Sequence, residues 1–230
     1  AELGRLGLLE RLFTAGALWA WARGRPVLAG VMVGLGTATK LYPLFLLGAF
    51  LIDAVRRRRP DQVAVAAVAT GAAWFAVNLP ALVTSPDRWK VFWSFNSDRG
   101  ADLGSLWLVL AQHGHNVTPH TINLVSGILF VGACAGILLL GLRAWRRPEV
   151  AQIAFLVVAA FLIVNKVYSP QYVLWLLPLA VLARPRWRDL LIWQGCELIY
   201  FGAVWLDLGG WLETASGNHT PYQLAIVIRV

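Results

Sequence analysis

The chain alternates between long apolar runs and short polar clusters, a pattern typical of helices that cross a membrane. Two longer polar segments, 84–120 and 211–220, are predicted to be loops on one side of that membrane. Most of the other polar clusters are short and rich in arginine. The apolar runs predict helices over 8–22, 27–55, 62–83, 121–142, 150–165, 171–183 and 190–206, with a last helix beginning near Pro221.

The run 27–55 is too long for one ordinary span and too short for two. Its 29 residues would form a helix of about 43 Å at about 1.5 Å per residue, against a hydrocarbon core of about 30 Å. Arginines flank both ends, so we expect two short helices joined by a turn at 39–43, where Pro43 breaks the helix. The alternative is one tilted, kinked helix, which would place the two flanking arginine clusters on opposite sides.

Composition and charge support a membrane protein. Of the 230 residues, 58% are hydrophobic and 14% are charged, whereas a soluble domain carries about 25% charged residues. We therefore expect an all-α, polytopic bundle of transmembrane helices that forms one domain over 1–230. Because the chain has no initiator methionine and ends inside an apolar run, we expect a fragment of a longer protein.

The net charge of +8 comes mainly from arginines between the apolar runs. This arrangement is the positive-inside pattern of membrane proteins, so these loops are predicted to be cytoplasmic. A nucleic-acid partner is not expected, since no polar face gathers the arginines. The clusters are Arg23/Arg25, Arg56–Arg59, Arg143/Arg146/Arg147 and Arg184/Arg186/Arg188.

Lys40 is the first candidate functional residue, because it interrupts the 27–55 run directly before Tyr42 and Pro43. A lysine in mid-span costs about 2.5–3.5 kcal/mol on insertion scales. It therefore needs a partner or a water-filled cavity, and its ammonium is a candidate ligand for a lipid phosphate. The structural alternative is a lysine that snorkels to the outer interface. Glu197 also lies in mid-span, where a carboxyl group is either protonated or paired, with Lys40 as a possible partner.

The second candidate is the turn at 165–172, which joins two apolar runs and is crowded with hydrogen-bonding side chains. Lys166 is a candidate phosphate ligand. Tyr168, Gln171 and Tyr172 are candidates for binding a sugar or a headgroup, and Trp175 continues onto the next helix. The structural alternative is an interfacial aromatic belt before a helix that begins at proline.

Metal binding is not favoured. His113, His115 and His120 lie in one loop with Asp98 and Asp102, but their spacing matches no specific zinc pattern. We therefore expect no cofactor, with a divalent cation as the remaining alternative.

Two stretches resemble the signatures of glycosyltransferase family 87. Residues 29–43, which read AGVMVGLGTATKLYP, resemble the glycine-rich helix of that family that ends in Lys-x-x-Pro. Residues 166–178, which read KVYSPQYVLWLLP, resemble its second signature. The two stretches occur in the expected order.

The resemblance implies a GT-C-type helical bundle. The Ala/Arg-rich composition is typical of a bacterial protein, so we expect it in a bacterial plasma membrane. The resemblance also implies an inverting hexosyltransferase, a mannosyltransferase, that takes the sugar from a polyprenyl phosphate and passes it to a lipid or glycan acceptor on the outer face. Lys40 and Lys166 would then stabilise the departing phosphate. Membrane lipids are the other expected partners.

The chain also departs from the family pattern. The family's general base is a carboxylate in a first outer loop, which would lie before residue 1, so the fragment alone is expected to be inactive. We do not transfer that role to Asp98 or Asp102. Where the family carries a Gln or Asn pair, residues 7–10 read GLLE, which makes Glu10 a possible substitute. The rival class is a transporter or flippase of a lipid-linked substrate, which would also use a broken helix with intramembrane charges.

Overall fold

A computed structural model describes residues 2–212 and 219–230, except for the side chains of residues 2–8 and 10. The described residues form α-helices and two short 3-10 turns and contain no strand, which confirms the predicted all-α class. The helices are α1 Glu2–Ala22, α2 Pro26–Thr39, α3 Leu46–Arg56, α4 Pro60–Thr84, α5 Pro86–Asp98, α6 Leu106–Gln112, α7 Pro119–Arg143, α8 Val150–Val164, α9 Val173–Ala183, α10 Trp187–Leu208 and α11 Thr220–Arg229, and the 3-10 turns are Tyr42–Phe45 and Pro170–Tyr172.

Two of these helices, α4 and α7, are each 25 residues long and apolar enough to cross a membrane. The apolar helices α2 and α8 are shorter, as is the stretch formed by the second 3-10 turn and α9. Proline stands in the first two positions of α2, α4, α5, α7 and α11. This is where its fixed φ angle and missing N–H favour a helix start.

The segment 84–120 contains two helices, α5 and α6, so its prediction as a plain loop was wrong. Pro86 begins α5, and the Oγ of Ser105 caps α6 by accepting the N–H of Leu108 at 3.1 Å. The α5 sequence mixes aromatic and charged residues. It therefore lacks the continuous apolar run on which the prediction of helices relied.

Helices α2 and α4 run side by side in the same direction. Gly30 packs against Ala66 and Ala69, and Gly34 packs one turn further along against Thr70. The Oγ1 of Thr70 donates to the carbonyl of Gly30 at 3.0 Å. A Cβ on Gly30 would lie only 2.8 Å from the Cβ of Ala69. The close approach of the two helices therefore depends on glycine at this position.

The end of α3 returns to the end of α1, where the arginine clusters gather. The indole N–H of Trp21 donates to Asp53 at 2.8 Å. The same buried carboxylate forms ion pairs with Arg57 and Arg147, each at 2.8 Å. Because α2 leaves this end and α3 comes back to it, the predicted pair of short helices is confirmed. The single kinked helix is excluded.

Further contacts bring α7, α8 and α9 to the same end. The guanidinium of Arg56 donates to the carbonyls of Leu142 and Ala144 at 2.7 and 2.9 Å, so it caps the end of α7. The side chain of Gln152, in the first turn of α8, donates to the carbonyl of Ala183 at the end of α9. The arginine-rich segments therefore lie at one end of the bundle, and the turns at 39–43 and 165–172 lie at the other.

Candidate functional site

The two predicted turns meet through a stack of aromatic rings. The ring of Tyr42 is 1% exposed and stacks on Trp175 with a centroid separation of 4.7 Å. Tyr172 stacks on the same indole at 4.1 Å. The Oγ1 of Thr14 donates to the hydroxyl of Tyr42 at 3.0 Å, which ties α1 to the stack. The two turns that the sequence analysis named as separate candidates are therefore neighbours in the fold. The sequence did not predict this contact.

A buried polar cluster continues from the stack. The ring of Tyr168 contacts Tyr172 edge-on, and its hydroxyl donates to Glu197 at 2.9 Å. The hydroxyl of Tyr200 donates to the carbonyl of Tyr168 at 2.7 Å. The partner of Glu197 is therefore Tyr168, and the pairing of Glu197 with Lys40 that the sequence allowed is not formed. The partner of Glu197 depends on which segments pack against α10, and the 165–172 turn is one of them.

Arg229 completes this cluster and was not among the candidates from the sequence. Its guanidinium carbon lies 3.4 Å from the centroid of the Tyr168 ring, and one of its nitrogens donates to the carbonyl of Gly104 at 3.0 Å. The N–H of Gly104 donates to the hydroxyl of Tyr222 at 2.9 Å. The only signal in the sequence was an arginine inside the last apolar run.

Gly104 lies in a loop that pairs with the 165–172 turn through the backbone. The N–H of Asp102 donates to the carbonyl of Lys166 at 2.9 Å, and the N–H of Tyr168 donates to the carbonyl of Leu103 at 2.7 Å. Asp102 also forms an ion pair with Arg99. These bonds fix the turn against the segment between α5 and α6.

The ammonium of Lys166 holds the end of α5. It donates to the Oδ1 of Asn123 at 2.6 Å and to the backbone carbonyls of Asn96 and Ser97. Burial, followed by the positive charge of Arg99, lowers the pKa of Lys166 below its ordinary value. This lysine therefore already has three oxygen acceptors, which the sequence could not indicate because two of them are main-chain atoms.

Lys40 lines a cavity of about 560 Å³ beneath α5. Within the part of the chain that the structure describes, its ammonium has no hydrogen-bond or ion-pair partner. The N–H of Lys40 still closes the last turn of α2 on Gly36, and its backbone is then extended, which ends that helix. The wall of the cavity also includes one arginine, one asparagine and aromatic side chains: Arg88, Asn78, Trp74, Trp89, Phe92 and Trp93.

Helix α5 folds back over the end of α4 and forms one wall of this cavity. The indole N–H of Trp89 donates to the Oδ1 of Asn78 at 2.9 Å. Its ring contacts Trp74 and Trp93 with centroid separations of 6.3 and 5.8 Å. The first half of α5 thus covers Lys40, and its last turn is held by Lys166. Both candidate lysines therefore lie next to α5. Lys166, however, lines a separate cavity of about 190 Å³.

The remaining candidates have different positions. Gln171 is exposed in the second 3-10 turn, whereas Tyr168 and Trp175 are buried. Glu10 belongs to α1, but its side chain lies outside the described residues. Across residues 2–212 and 219–230, no group of three or more histidine, cysteine, aspartate or glutamate side chains is arranged to hold a metal ion.

A family model described as Glycosyltransferase family 87 matches residues 1–165. The matched region includes the Lys40 turn and both walls of its cavity, and it ends immediately before Lys166. Among curated proteins and solved structures, none matches the chain.

Proposed function

The chain belongs to glycosyltransferase family 87 and is a membrane glycosyltransferase, and on that premise we propose its substrates and its site. We propose that it transfers mannose from a polyprenyl-phosphate donor to a lipid or glycan acceptor on the outer face of the membrane. The observation that carries this proposal is the cavity beneath α5, which is lined by two cationic side chains and several aromatic rings.

The lining of the cavity suits a lipid-linked sugar phosphate. Lys40 and Arg88 provide two positive charges, and ammonium and guanidinium groups are the usual protein ligands of phosphate. Trp74, Trp89 and Trp93 offer broad apolar faces for a sugar ring or the first isoprene units. The volume of about 560 Å³ falls within the range of about 300–1,000 Å³ that is usual for ligand pockets.

In the proposed reaction, an acceptor hydroxyl attacks the anomeric carbon of the donor sugar and its proton passes to a general base. The bond between the anomeric carbon and the phosphate oxygen breaks, and polyprenyl phosphate leaves with the bonding electrons. Attack from the opposite side inverts the anomeric centre. Lys40 and Arg88 stabilise the charge that grows on the departing phosphate, so their contribution is larger in the transition state than in the ground state.

The second turn has a supporting role in this proposal. The phosphate role first expected for Lys166 stays a prediction, and its three oxygen acceptors favour a role in holding α5 over the cavity. The Tyr42–Trp175–Tyr172 stack fixes the first turn against the second. Gln171 is the exposed side chain of the second turn and is the one best placed to contact an acceptor. We leave the general base unassigned among the residues of this chain.

The orientation follows from the charge distribution. The arginine-rich end of the bundle faces the cytoplasm under the positive-inside rule. The cavity of Lys40 lies at the opposite end, so its substrates reach it from the outer leaflet. This is the leaflet that would contain a lipid-linked donor for the synthesis of the cell envelope.

The test is sugar transfer by the full-length protein in membranes, with polyprenyl-phosphate mannose as donor. Because a hydrogen bond to a charged group contributes about 1.5–3 kcal/mol, we expect Lys40→Met and Arg88→Gln each to lower kcat/KM about 10- to 100-fold. Lys90→Gln is the matched control. Lys90 lies on α5 two residues from Arg88, is 70% exposed and does not line the cavity.

Three outcomes would contradict the proposal. If Lys40→Met and Arg88→Gln behave like Lys90→Gln, the cavity is not the site. If a sugar nucleotide replaces the polyprenyl donor with equal efficiency, the donor is wrong. If the protein moves the lipid-linked sugar across vesicles without transferring it, the protein acts as a flippase on this substrate.

A further inference from the structure

Another cavity, of about 740 Å³, opens between α7, α8, α9 and α10 at the arginine-rich end of the bundle. Its volume also falls within the usual range for ligand pockets, about 300–1,000 Å³. The inner part of the wall is apolar and the mouth is charged. Residues that define its length are Leu139, Gly141, Phe155, Leu156, Ala180 and Trp193.

The mouth of this groove carries a net positive charge. Arg143, Arg184 and Asp189 are its charged lining residues, which leaves one positive charge in excess. Arg184 is 63% exposed and forms an ion pair with Asp189 at 2.6 Å. Arg143 is exposed and has no ion-pair partner among the described residues. Arg186 and Arg188 follow on the same segment and add to the positive field.

Two tryptophans mark the depth of the mouth. Trp145 is 99% exposed and Trp187 is 79% exposed, and both lie within three residues of an arginine of the mouth. Tryptophan is enriched at the level of the lipid headgroups, where its apolar ring and its N–H are both accommodated. The charged mouth therefore lies at headgroup depth, and the apolar wall extends from it towards the hydrocarbon.

We propose that this groove binds one acidic glycerophospholipid. An acyl chain lies along the apolar wall between α7 and α10, and the phosphate contacts Arg143 and Arg184. The excess positive charge selects an anionic headgroup over a zwitterionic one. A second copy of the chain is a poor occupant, because a twofold contact at this face would bring the arginines of the mouth against each other.

The experiment is native mass spectrometry of the full-length protein in detergent that contains equal amounts of phosphatidylglycerol and phosphatidylcholine with matched acyl chains. We expect one phosphatidylglycerol to be retained per chain in preference to phosphatidylcholine. Since each arginine near the headgroups favours an anionic lipid several-fold, Arg143→Gln combined with Arg184→Gln should lower that retention about tenfold or more. The control is Arg23→Gln combined with Arg58→Gln, which removes two exposed arginines outside the groove.

A steric variant tests the position of the lipid. Ala183 is half-buried and lines the groove, so Ala183→Phe should reduce retention by filling it while leaving the charges in place. Equal losses in the two double variants would show binding by diffuse charge and would overturn the proposal. So would equal retention of phosphatidylcholine, no retained lipid, or unchanged retention in the Ala183→Phe protein.

Discussion

Substitution of Gly104 by alanine tests the buried polar cluster around Tyr168. The expected loss of stability has two parts, backbone strain and the displacement of Tyr200. The φ angle of Gly104 is +69°, in the left-handed region. A substitution by alanine there costs about 1–2 kcal/mol in backbone strain alone. The added Cβ would also approach the hydroxyl of Tyr200 and the carbonyl of Tyr168 to well under 3.0 Å, a separation that Cβ atoms do not adopt.

The second part comes from displacement of Tyr200. To admit the Cβ, the tyrosine must move, and its 2.7 Å hydrogen bond to the carbonyl of Tyr168 is lost. Overpacking costs about 1–3 kcal/mol, and a broken buried hydrogen bond costs about 1–3 kcal/mol. We therefore expect Gly104→Ala to lower the free energy of unfolding by about 2–6 kcal/mol more than strain alone would.

The control is Gly114→Ala. Gly114 has a φ angle of +83° and no atom within 4 Å of an added Cβ, so the substitution carries the strain without the clash. Thermal unfolding in detergent measures both variants. With about 2–4 °C per kcal/mol for a chain of this length, Gly104→Ala should melt at least about 4–8 °C below Gly114→Ala. Equal melting temperatures would refute the packing of Gly104 against Tyr200.

Two further predictions concern contacts on either side of the site. A double-mutant cycle with Tyr42→Leu and Trp175→Leu should give a coupling energy of about 0.5–1.5 kcal/mol in unfolding experiments, and additive losses would mean that the two rings do not stack. Asp53→Asn should lower the free energy of unfolding by about 1–3 kcal/mol, less than for a fully buried ion pair because Arg147 remains 42% exposed. The exposed residue Asp61 provides the control, since Asp61→Asn should change stability by less than about 0.5 kcal/mol. A loss in the Asp61 variant as large as in the Asp53 variant would rule out a special role for the buried carboxylate.

The segment 84–120 shows where reading the sequence for apolar runs fails. Helix α5 has no buried side chain among its residues, and its polar residues outnumber its aromatic ones. Its helical form depends on Pro86 at its start, on the bond of Trp89 to Asn78, and on Lys166 at its end. None of these features produces the hydrophobic periodicity or the long apolar run by which a membrane-spanning helix is recognised in a sequence.

Because α5 was not predicted, the sequence identified only part of the candidate site. Lys40 could be selected because a charge in an apolar run stands out against its neighbours. Arg88 could not, because a single arginine in a polar segment looks like any solvated charge. Its place in the wall of the cavity follows only from the way α5 folds back over α4.

The sequence by itself determined the helical class and the approximate bounds of α4 and α7, and it favoured the return of α3 to the end from which α2 starts. These features depend on the summed hydropathy of each run and on the arginines at its ends. Both determine how a single segment interacts with lipid and water, without reference to other segments. The tertiary structure alone decided that Tyr42 stacks on Trp175, that Tyr168 pairs with Glu197, and that Arg229 reaches Gly104. These partners are remote along the chain, and their contacts arise only when close packing selects which helix faces meet.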